Sequence, residues 1–215
     1  MKTFGLIEQP PLIYRLLCPE GVWRIRSRGK PRVFITFDDG PIPEVTPKVL
    51  EILRERDVRA TFFMVGDNVR RHPELLEAVR ADGHSVGNHT MHHLQGLHTS
   101  WRRYARDVSE ADKYIGSTLF RPPHGLLRAK QMRVINNRYN VIMYDVVTRD
   151  YSWRLNAEEV FQNVVRFARN GSIIVFHDSL KAAPRMLEAL PRALDWLREQ
   201  GYRFSTIPDG TRFDL

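Results

Sequence analysis

Residues 33–40 read Val-Phe-Ile-Thr-Phe-Asp-Asp-Gly, an apolar run that ends in two adjacent carboxylates. A run of β-branched and aromatic residues predicts a strand, and its almost wholly apolar composition is typical of a strand that is covered on both faces. Two neighbouring carboxylates at the end of such a strand are costly to bury unless a cation compensates for them. The Asp-Asp-Gly-Pro sequence is equally compatible with an ordinary turn, so this stretch alone leaves both interpretations open.

The same alternation continues to the end of the chain. Further short strands are predicted at residues 60–65, 84–86, 119–121, 141–144, 172–176 and 203–207. The amphipathic stretches with helix-type ends that separate them cover residues 46–56, 72–83, 100–115, 156–169 and 183–200. Strands that alternate with helices form parallel sheets with helical crossovers. We therefore expect an α/β fold, either a (β/α) barrel or a doubly wound sheet.

The composition excludes several classes of protein. Of the 215 residues, 42% are hydrophobic and 27% are charged, which is the balance of a globular chain and not of a disordered or collagen-like one. The single cysteine, Cys18, excludes a disulfide framework and a thiolate zinc site within the chain. The formal net charge of +8 would suit an anionic partner. No nucleic-acid-binding motif accompanies that charge, so we expect no nucleic acid partner.

Residues 1–31 are predicted to form an N-terminal arm in front of a catalytic domain that spans residues 32–215. Five basic side chains occupy alternate positions near the end of this arm: Arg24, Arg26, Arg28, Lys30 and Arg32. If the segment is extended, all five project from one face. The row is compatible with a solvated edge that discourages strand pairing, and also with a surface that binds anions.

The location of the protein is predicted from its hydrophobic runs. None approaches the ~18 residues that a membrane span needs. Glu8, Pro10, Pro11 and Arg15 interrupt any hydrophobic core of a secretory signal, so we expect a cytoplasmic protein. Residues 11–17, Pro-Leu-Ile-Tyr-Arg-Leu-Leu, precede the basic row, and together they could rest on an anionic membrane. Peripheral membrane contact is therefore a second expectation.

Polar residues gather where the predicted strands end, which is where parallel α/β folds place their active sites. Five of the eight histidines fall between residues 84 and 98. His89 and His93 are four residues apart, which would bring both imidazoles to one face of a helical turn. Together with the acidic pair Asp38-Asp39 at another strand end, they make an Asp/His/His facial site with open positions for water and substrate. We expect His84 and His92 to be structural, or to support the ligands from behind, and not to be ligands themselves.

Three later strand ends carry further candidates. Arg121-Pro-Pro-His-Gly125 presents one guanidinium on a stiff loop, and residues 144–151 read Tyr-Asp-Val-Val-Thr-Arg-Asp-Tyr. His177 directly follows another apolar run. Each of these could be an ordinary polar group of a loop. Polar clusters at five strand ends, however, indicate a single active site.

These five segments resemble, in order, the motifs of the NodB-homology polysaccharide deacetylases, carbohydrate esterase family 4. The family's order is Thr-Phe-Asp-Asp-Gly, His-x-x-x-His, Arg-x-Pro-x-Gly, an Asp-aromatic motif and an apolar-x-His motif, and the match spans residues 32–207. The resemblance implies a distorted (β/α) barrel of seven or eight parallel strands. It also implies an enzyme, a metal-dependent hydrolase of carbon–nitrogen bonds other than peptide bonds. Its substrates would be the N-acetyl groups of amino-sugar glycans, such as chitin oligosaccharides, peptidoglycan or a lipid-linked N-acetylhexosamine.

The resemblance further implies a role for each residue of the site. Asp39, His89 and His93 would bind one divalent cation, zinc in the first place, with cobalt or manganese as alternatives. The metal and the base would activate a water molecule, and a histidine would protonate the leaving amine. The implied catalytic residues are the base Asp38, its partner Arg121, the acid His177 and its partner Asp150.

The implied substrate contacts include departures from the family pattern. The backbone N–H of His124, with the metal, would stabilise the oxyanion, while Tyr151 and Phe176 would form an apolar wall for the acetyl group and a sugar face. The family usually has Tyr or Phe at the position of His124 and Trp at that of Tyr151. Its preceding Asp in the fourth motif corresponds to Val147. These departures change the pocket wall and leave the ligands, the base and the acid in place.

Two alternatives to N-deacetylation stay open. The same metal site could remove O-acetyl groups from a glycan or open a cyclic amide. A non-catalytic carbohydrate-binding relative is the other alternative, although its usual mark would be the loss of Asp38 or of a metal ligand, and this chain keeps them. The sequence does not indicate an oligomeric state.

Overall fold

The computed structural model describes residues 8–211 and residue 213, so the first seven residues of the predicted arm lie outside the described part. The strands are β1 (Arg32–Asp38), β2 (Thr61–Met64), β3 (Ser85–Asn88), β4 (Leu119–Phe120), β5 (Asn140–Val141), β6 (Val146–Val147), β7 (Ser172–His177) and β8 (Arg203–Phe204). The α-helices are α1 (Leu12–Leu17), α2 (Thr46–Glu55), α3 (Gly66–Arg71), α4 (Pro73–Ala81), α5 (Trp101–Ile115), α6 (Ala129–Asn136), α7 (Ala157–Phe167) and α8 (Ala183–Glu199). No helix among these residues is long and apolar enough to cross a membrane.

The strands form one curled parallel sheet. Their order is β5-β4-β3-β2-β1-β7-β6, and β8 pairs with the start of β1. This arrangement confirms the predicted α/β fold with a distorted barrel of parallel strands. Val22 pairs with Ile142 just after β5, and Arg24 pairs with Ser172 of β7, so the arm connects the two sides of the curled sheet. The division of the chain at residue 31 stays a prediction.

Strand β1 is an interior strand between β2 and β7, and its side chains alternate between two layers. Val33, Ile35 and Phe37 pack outward in the main core, which includes buried residues of α2 and α8. Phe34 faces a second, inner cluster that includes residues of β2, β4 and β7. Because successive side chains of a strand point to opposite faces, Asp38 shares the inner face with Phe34. The strand therefore delivers a carboxylate to the inside of the barrel.

Several helix ends follow the sequence signals. Helix α5 begins after Ser100, whose hydroxyl accepts a hydrogen bond from the Arg103 amide, and it ends at Gly116 in the left-handed conformation. Asn156 and Glu159 form the predicted capping box of α7. Helices α1, α3 and α6 and strand β6 were not predicted. All four are short, between two and eight residues, so their hydrophobic periodicity is too brief to stand out.

Candidate active site

The carboxyl ends of the strands open into a pocket of about 500 Å³. Seven of the ten predicted site residues line it: Asp38, Asp39, His89, His93, His124, Tyr151 and His177. Two more, Arg121 and Asp150, lie behind the wall and contact residues that line it. The tenth, Phe176, lies elsewhere. The structure thus brings nearly the whole predicted set to one place, while the roles of these residues stay predictions.

Asp38 is held by a buried arginine. The Arg121 guanidinium, 1% exposed, donates from one nitrogen to Asp38 Oδ1 and to Thr36 Oγ1, both at 2.7 Å. Its other nitrogens donate to the carbonyls of Ile142 and Met143, and the group stacks over the Phe63 ring at 4.1 Å. Burial lowers the pKa of Arg121 from its usual high value, and the adjacent Asp38 opposes that shift. The carboxylate is therefore oriented by a cation that has no room to move.

Asp39, His89 and His93 converge beside Asp38. One potential ligand atom from each lies within 4.8 Å of the others. The Asp39 carboxylate is 3.1 Å from His93 Nε2 and 3.7 Å from His89 Nε2. Burial opposes the ionisation of Asp39, but the hydrogen bond from His93 and the charge of His177 outweigh it and lower the pKa. An ionised carboxylate facing two imidazoles is a donor set that suits a divalent cation, zinc above all.

The tautomer of His89 supports the same conclusion. His89 is fully buried, and its Nδ1 lies 2.8 Å from the carbonyl oxygen of Arg121, to which it donates. Nε2, as the unprotonated nitrogen, then faces Asp39. Burial lowers the pKa of His89 to about 4, which keeps the ring neutral at physiological pH. A histidine that binds a metal through one ring nitrogen usually donates a hydrogen bond from the other to a backbone carbonyl or a carboxylate, as His89 does here.

The predicted helical turn at His89–His93 is wrong. The segment is a loop after β3, in which Thr90 and His93 have positive φ angles of 66° and 51°. The two rings still approach, with centroids 5.2 Å apart, because the loop reverses direction between them. Asp107 of α5 holds this loop, since one of its oxygens accepts the amide hydrogens of Met91 and His92. The spacing of four residues predicted that the His89 and His93 rings come together, but it did not predict that a loop, and not a helical turn, brings them together.

Two further histidines of this stretch, His84 and His92, have the structural contacts that were expected of them. His92 turns away from the pocket, and its Nδ1 lies 2.6 Å from the Asp107 carboxylate. His84 is buried, and its Nδ1 accepts a hydrogen bond from the Ala60 amide at 3.1 Å. Burial lowers the pKa of His84 to about 4. Both rings therefore make structural contacts, and neither lines the pocket.

His177 and Asp150 form a second charged pair on the other side of the pocket. Asp150 is fully buried, and its two oxygens accept hydrogen bonds from the ring Nδ1 and the backbone N–H of His177. Burial disfavours the charged imidazolium, but the charge and hydrogen bond of Asp150, with Asp39 and Asp38 further away, raise the pKa of His177 to about 9. The Tyr151 ring packs edge-on against His177, with centroids 5.0 Å apart. This histidine can hold a proton at neutral pH.

The predicted contact of Phe176 with substrate is wrong. Phe176 is fully buried in the main core and stacks against Phe37, with ring centroids 6.0 Å apart. In the pairing of β1 with β7, Phe176 stands opposite Phe37 and His177 stands opposite Asp38. Paired residues point to the same face of the sheet, so His177 faces the pocket and Phe176 cannot. Val175 lines the pocket instead, and alternation from His177 could have identified it.

Sequence reasoning missed three other residues near the reacting groups. Tyr144 and Lys181 line the pocket, and the ammonium of Lys181 lies 5.7 Å from the centre of the Tyr151 ring. Asp178 is buried directly behind Asp39, where its oxygens accept hydrogen bonds from the Gly40 amide and the Thr46 hydroxyl. Burial raises its pKa to about 8. The adjacent His177 was the only signal in the sequence for Asp178.

His124 lines the pocket next to His93. It has a positive φ of 61° in a short turn, and its ring packs edge-on against His93, with centroids 4.9 Å apart. Burial, and then the charge of His93, lower the pKa of His124. Next to it, Gly125 has a φ of 69°, and a Cβ there would collide with Tyr144. The loop therefore depends on glycine to bring the backbone against the pocket wall.

The chain matches known proteins over most of its length. A family model described as polysaccharide deacetylase matches residues 25–141. A peptidoglycan-N-acetylglucosamine deacetylase of Bacillus cereus is 33% identical over 211 residues, which cover 94% of this chain and 99% of that protein. A chitooligosaccharide deacetylase of Sinorhizobium fredii is 31% identical over 198 residues, covering 84% of this chain and 92% of that protein. The crystal structure of a peptidoglycan N-acetylglucosamine deacetylase superposes with a TM-score of 0.79 at 28% identity, over 88% of this chain and 91% of that one.

Proposed function

Because the chain belongs to the polysaccharide deacetylase family, we propose that it is a metal-dependent hydrolase that removes N-acetyl groups from amino-sugar glycans. One observation carries the proposal: an Asp-His-His ligand set, an arginine-paired carboxylate and an aspartate-paired histidine all meet in one pocket. Relatives named for peptidoglycan N-acetylglucosamine and for chitooligosaccharides support an amino-sugar glycan as the substrate.

Asp39, His89 and His93 would hold the divalent cation, and we propose zinc because two nitrogen donors and one oxygen donor suit it. When bound, such a cation polarises the acetyl carbonyl and lowers the pKa of a water molecule. Contacts within the chain hold the two histidine ligands in position. His89 is fixed through the Arg121 carbonyl, and the loop that carries His93 is fixed through Asp107.

Asp38 is the proposed general base. It accepts the proton of the attacking water, whose oxygen forms the new bond to the acetyl carbon. The hydrogen bond from Arg121 at 2.7 Å fixes Oδ1 and leaves the second oxygen of this pocket-lining carboxylate to accept the proton. A base positioned in this way contributes roughly 10²- to 10⁴-fold to the rate.

His177 is the proposed general acid. The bond between the acetyl carbon and the sugar nitrogen breaks, acetate leaves, and the amine takes the proton from the imidazolium of His177. A pKa of about 9 keeps this histidine protonated at neutral pH, so the acid is ready before the substrate arrives. Asp150 orients the ring, since its contact with Nδ1 leaves Nε2 as the atom that can reach the amine.

The proposal is tested by measuring acetate release from N-acetylglucosamine oligomers and from peptidoglycan fragments. Zinc-loaded protein is compared with Asp38→Asn, with a chelated sample and with Asp195→Asn, a matched change at a surface aspartate that pairs with Arg56. We expect release by the wild type and by Asp195→Asn, and a loss of roughly 10²-fold or more in the other two samples.

Each other outcome points to a specific error. If the metal binds stoichiometrically but no acetate is released from either substrate, N-deacetylation of these glycans is wrong, and O-acetylated and cyclic-amide substrates should be assayed next. If Asp38→Asn retains full activity, Asp38 is not the base. If chelation has no effect, the reaction does not depend on the Asp39, His89 and His93 site.

A further inference from the structure

Helix α1 presents an apolar face to solvent. Leu12, Ile13 and Leu16 are 71%, 61% and 66% exposed, and their spacing puts them on one side of the helix. The opposite side is anchored, because Tyr14 packs against the cluster that contains Trp23. The exposed side chains are therefore held in position by a docked helix. Single exposed apolar side chains are common, but three on one face of a docked helix make a contiguous patch of the kind that marks a protein or membrane contact.

Arginines form a cluster next to this helix, which Arg15 of α1 joins. Arg15 of α1 and Arg169 both donate to the fully buried carboxylate of Asp145, each at 2.6 Å. Arg24 lies beside them, and partial burial together with the guanidiniums of Arg169, Arg26 and Arg15 lowers its pKa, against the opposing effect of Asp145. Asp145 can balance only one of these four positive charges. The cluster is therefore strongly cationic.

The segment that follows extends the positive charge. Residues 12–32 contain six basic side chains and one acidic side chain, Glu20. Among the basic ones, Arg26, Arg28, Lys30 and Arg32 are exposed. The family match begins at residue 25, so α1 lies before the part of the chain that the family model covers. An apolar face beside a cationic cluster is the pattern of a short interfacial helix.

We propose that α1 and the arginine cluster around Asp145 form a docking surface for an anionic membrane. Leu12, Ile13 and Leu16 enter the headgroup region, and the guanidiniums of Arg24 and Arg26 pair with lipid phosphates. A second copy of this chain fits less well, because a symmetric contact through the same patch would bring two cationic clusters together. The charge complementarity therefore favours the lipid surface.

The docking surface adjoins the active-site pocket. Trp23, against which Arg15 stacks at 5.8 Å, lies 6.0 Å from the ring of Tyr144, and Tyr144 lines the pocket. Membrane attachment at α1 would thus hold one wall of the pocket close to the lipid headgroups. Docking itself does not depend on the chemistry in the pocket, so it is measured without substrate.

The test is co-sedimentation of the full chain with phosphatidylcholine vesicles, with and without phosphatidylglycerol, at low and high salt. Two variants address the surface: Leu12→Ser/Ile13→Ser/Leu16→Ser for the apolar face, and Arg24→Gln/Arg26→Gln for the cations. The control variant Arg102→Gln/Arg103→Gln removes the same charge from exposed positions of α5. Circular dichroism checks that each variant is folded.

We expect binding only to the anionic vesicles, weakened by salt. The apolar triple variant and Arg24→Gln/Arg26→Gln should each lose at least roughly tenfold in affinity for the vesicles. The affinity of the α5 control should change about twofold at most. The proposal is overturned if the wild type does not sediment with anionic vesicles at low salt. It is also overturned if the α5 control weakens binding as much as Arg24→Gln/Arg26→Gln. Light scattering provides the last check: a wild-type dimer that the apolar triple variant dissociates would assign this face to a second copy of the chain.

Discussion

Asp150 holds His177 at two points, the ring Nδ1 at 2.8 Å and the backbone N–H at 2.7 Å, one for each carboxylate oxygen. Asp150 is fully buried and the His177 side chain is only 14% exposed, so their contact is largely shielded from water. A carboxylate in this position selects one tautomer, fixes the plane of the ring and stabilises its charged form. The geometry thus prepares His177 to give up a proton from Nε2.

The first prediction concerns the pH dependence that follows from this pair. In the proposed mechanism His177 acts in its protonated form. Its pKa is raised from the usual 6.5 to about 9, so activity should persist below that value and fall as the pH rises through it. Asp150→Asn keeps an acceptor but removes the charge. We expect the alkaline limb of the kcat/KM profile to move down by roughly one pH unit or more. An alkaline limb that stays in place in Asp150→Asn would show that this pair does not set it.

The second prediction separates His93 from its neighbour. His93 Nε2 lies 3.1 Å from Asp39, whereas the His92 ring contacts Asp107. We expect His93→Gln to lower zinc affinity roughly 100-fold or more, because it removes one of the three ligands, and His92→Gln to lower it less than about tenfold. Zinc affinity is measured by competition with a chromogenic chelator at constant pH. Equal losses in the two variants would contradict the assignment of His93 as a ligand.

The third prediction concerns Asp178, which anchors the turn after Asp39. The Gly40 amide and the Thr46 hydroxyl both donate to its carboxyl group in the buried interior. Asp178→Ala leaves these two donors unsatisfied, so we expect the free energy of unfolding to fall by about 2 kcal/mol or more. Asp178→Asn retains an acceptor for the Gly40 amide, so its free energy of unfolding should fall by less than that of Asp178→Ala. Urea titration measures both, with the metal-free protein as the reference state.

The same residue predicts a pH effect on stability. Burial raises the pKa of Asp178 to about 8, above its ordinary value of 3.8, so the native state favours the protonated form. That contribution to stability is fully present at acid pH and is lost as the pH rises toward about 8. Between pH 4 and pH 8, the free energy of unfolding of the wild type should therefore fall relative to that of Asp178→Asn, which has no carboxyl group at this position to titrate. A difference that is flat over this range would contradict the raised pKa.

The fourth prediction concerns the N-terminal segment. Glu8 is fully buried and pairs at 2.6 Å with Arg149, which has a positive φ of 61° and directly precedes Asp150. The Glu8 carbonyl also accepts the amide hydrogen of Val147. We expect Glu8→Gln to lower the free energy of unfolding by about 2 kcal/mol, because it weakens the compensation of a mostly buried guanidinium.

A double-mutant cycle provides the control for this pair. In Glu8→Gln/Arg149→Met, the loss should be smaller than the sum of the two single losses by about 1 kcal/mol or more. Strict additivity would mean that the ion pair does not couple the N-terminal segment to the Asp150 loop. The kcat of Glu8→Gln then reports whether the coupling extends to His177.

Much of this protein was predictable from its sequence because the decisive signals are local. Alternation of short apolar strands with capped helices predicted an α/β fold with parallel strands, and the family resemblance then favoured a barrel over a doubly wound sheet. The capping box at Asn156 and the glycine at Gly116 marked helix ends that the structure confirms. The carboxylates of the Asp-Asp-Gly stretch and the spacing of His89 and His93 predicted where a cation would bind. These patterns are visible because each depends on residues within a few positions of one another.

Only the tertiary structure decided what depends on distant segments. Strand pairing turned Phe176 into the core and His177 into the pocket, a distinction that a register shift of one residue would reverse. Positive φ angles at Thr90 and His93 replaced the expected helical turn with a loop, which Asp107 holds from another element. Asp178 behind Asp39 and Glu8 beside Arg149 depend on contacts across more than 130 residues of chain. Sequence patterns determine which face of an element is apolar, but packing determines which polar groups then meet.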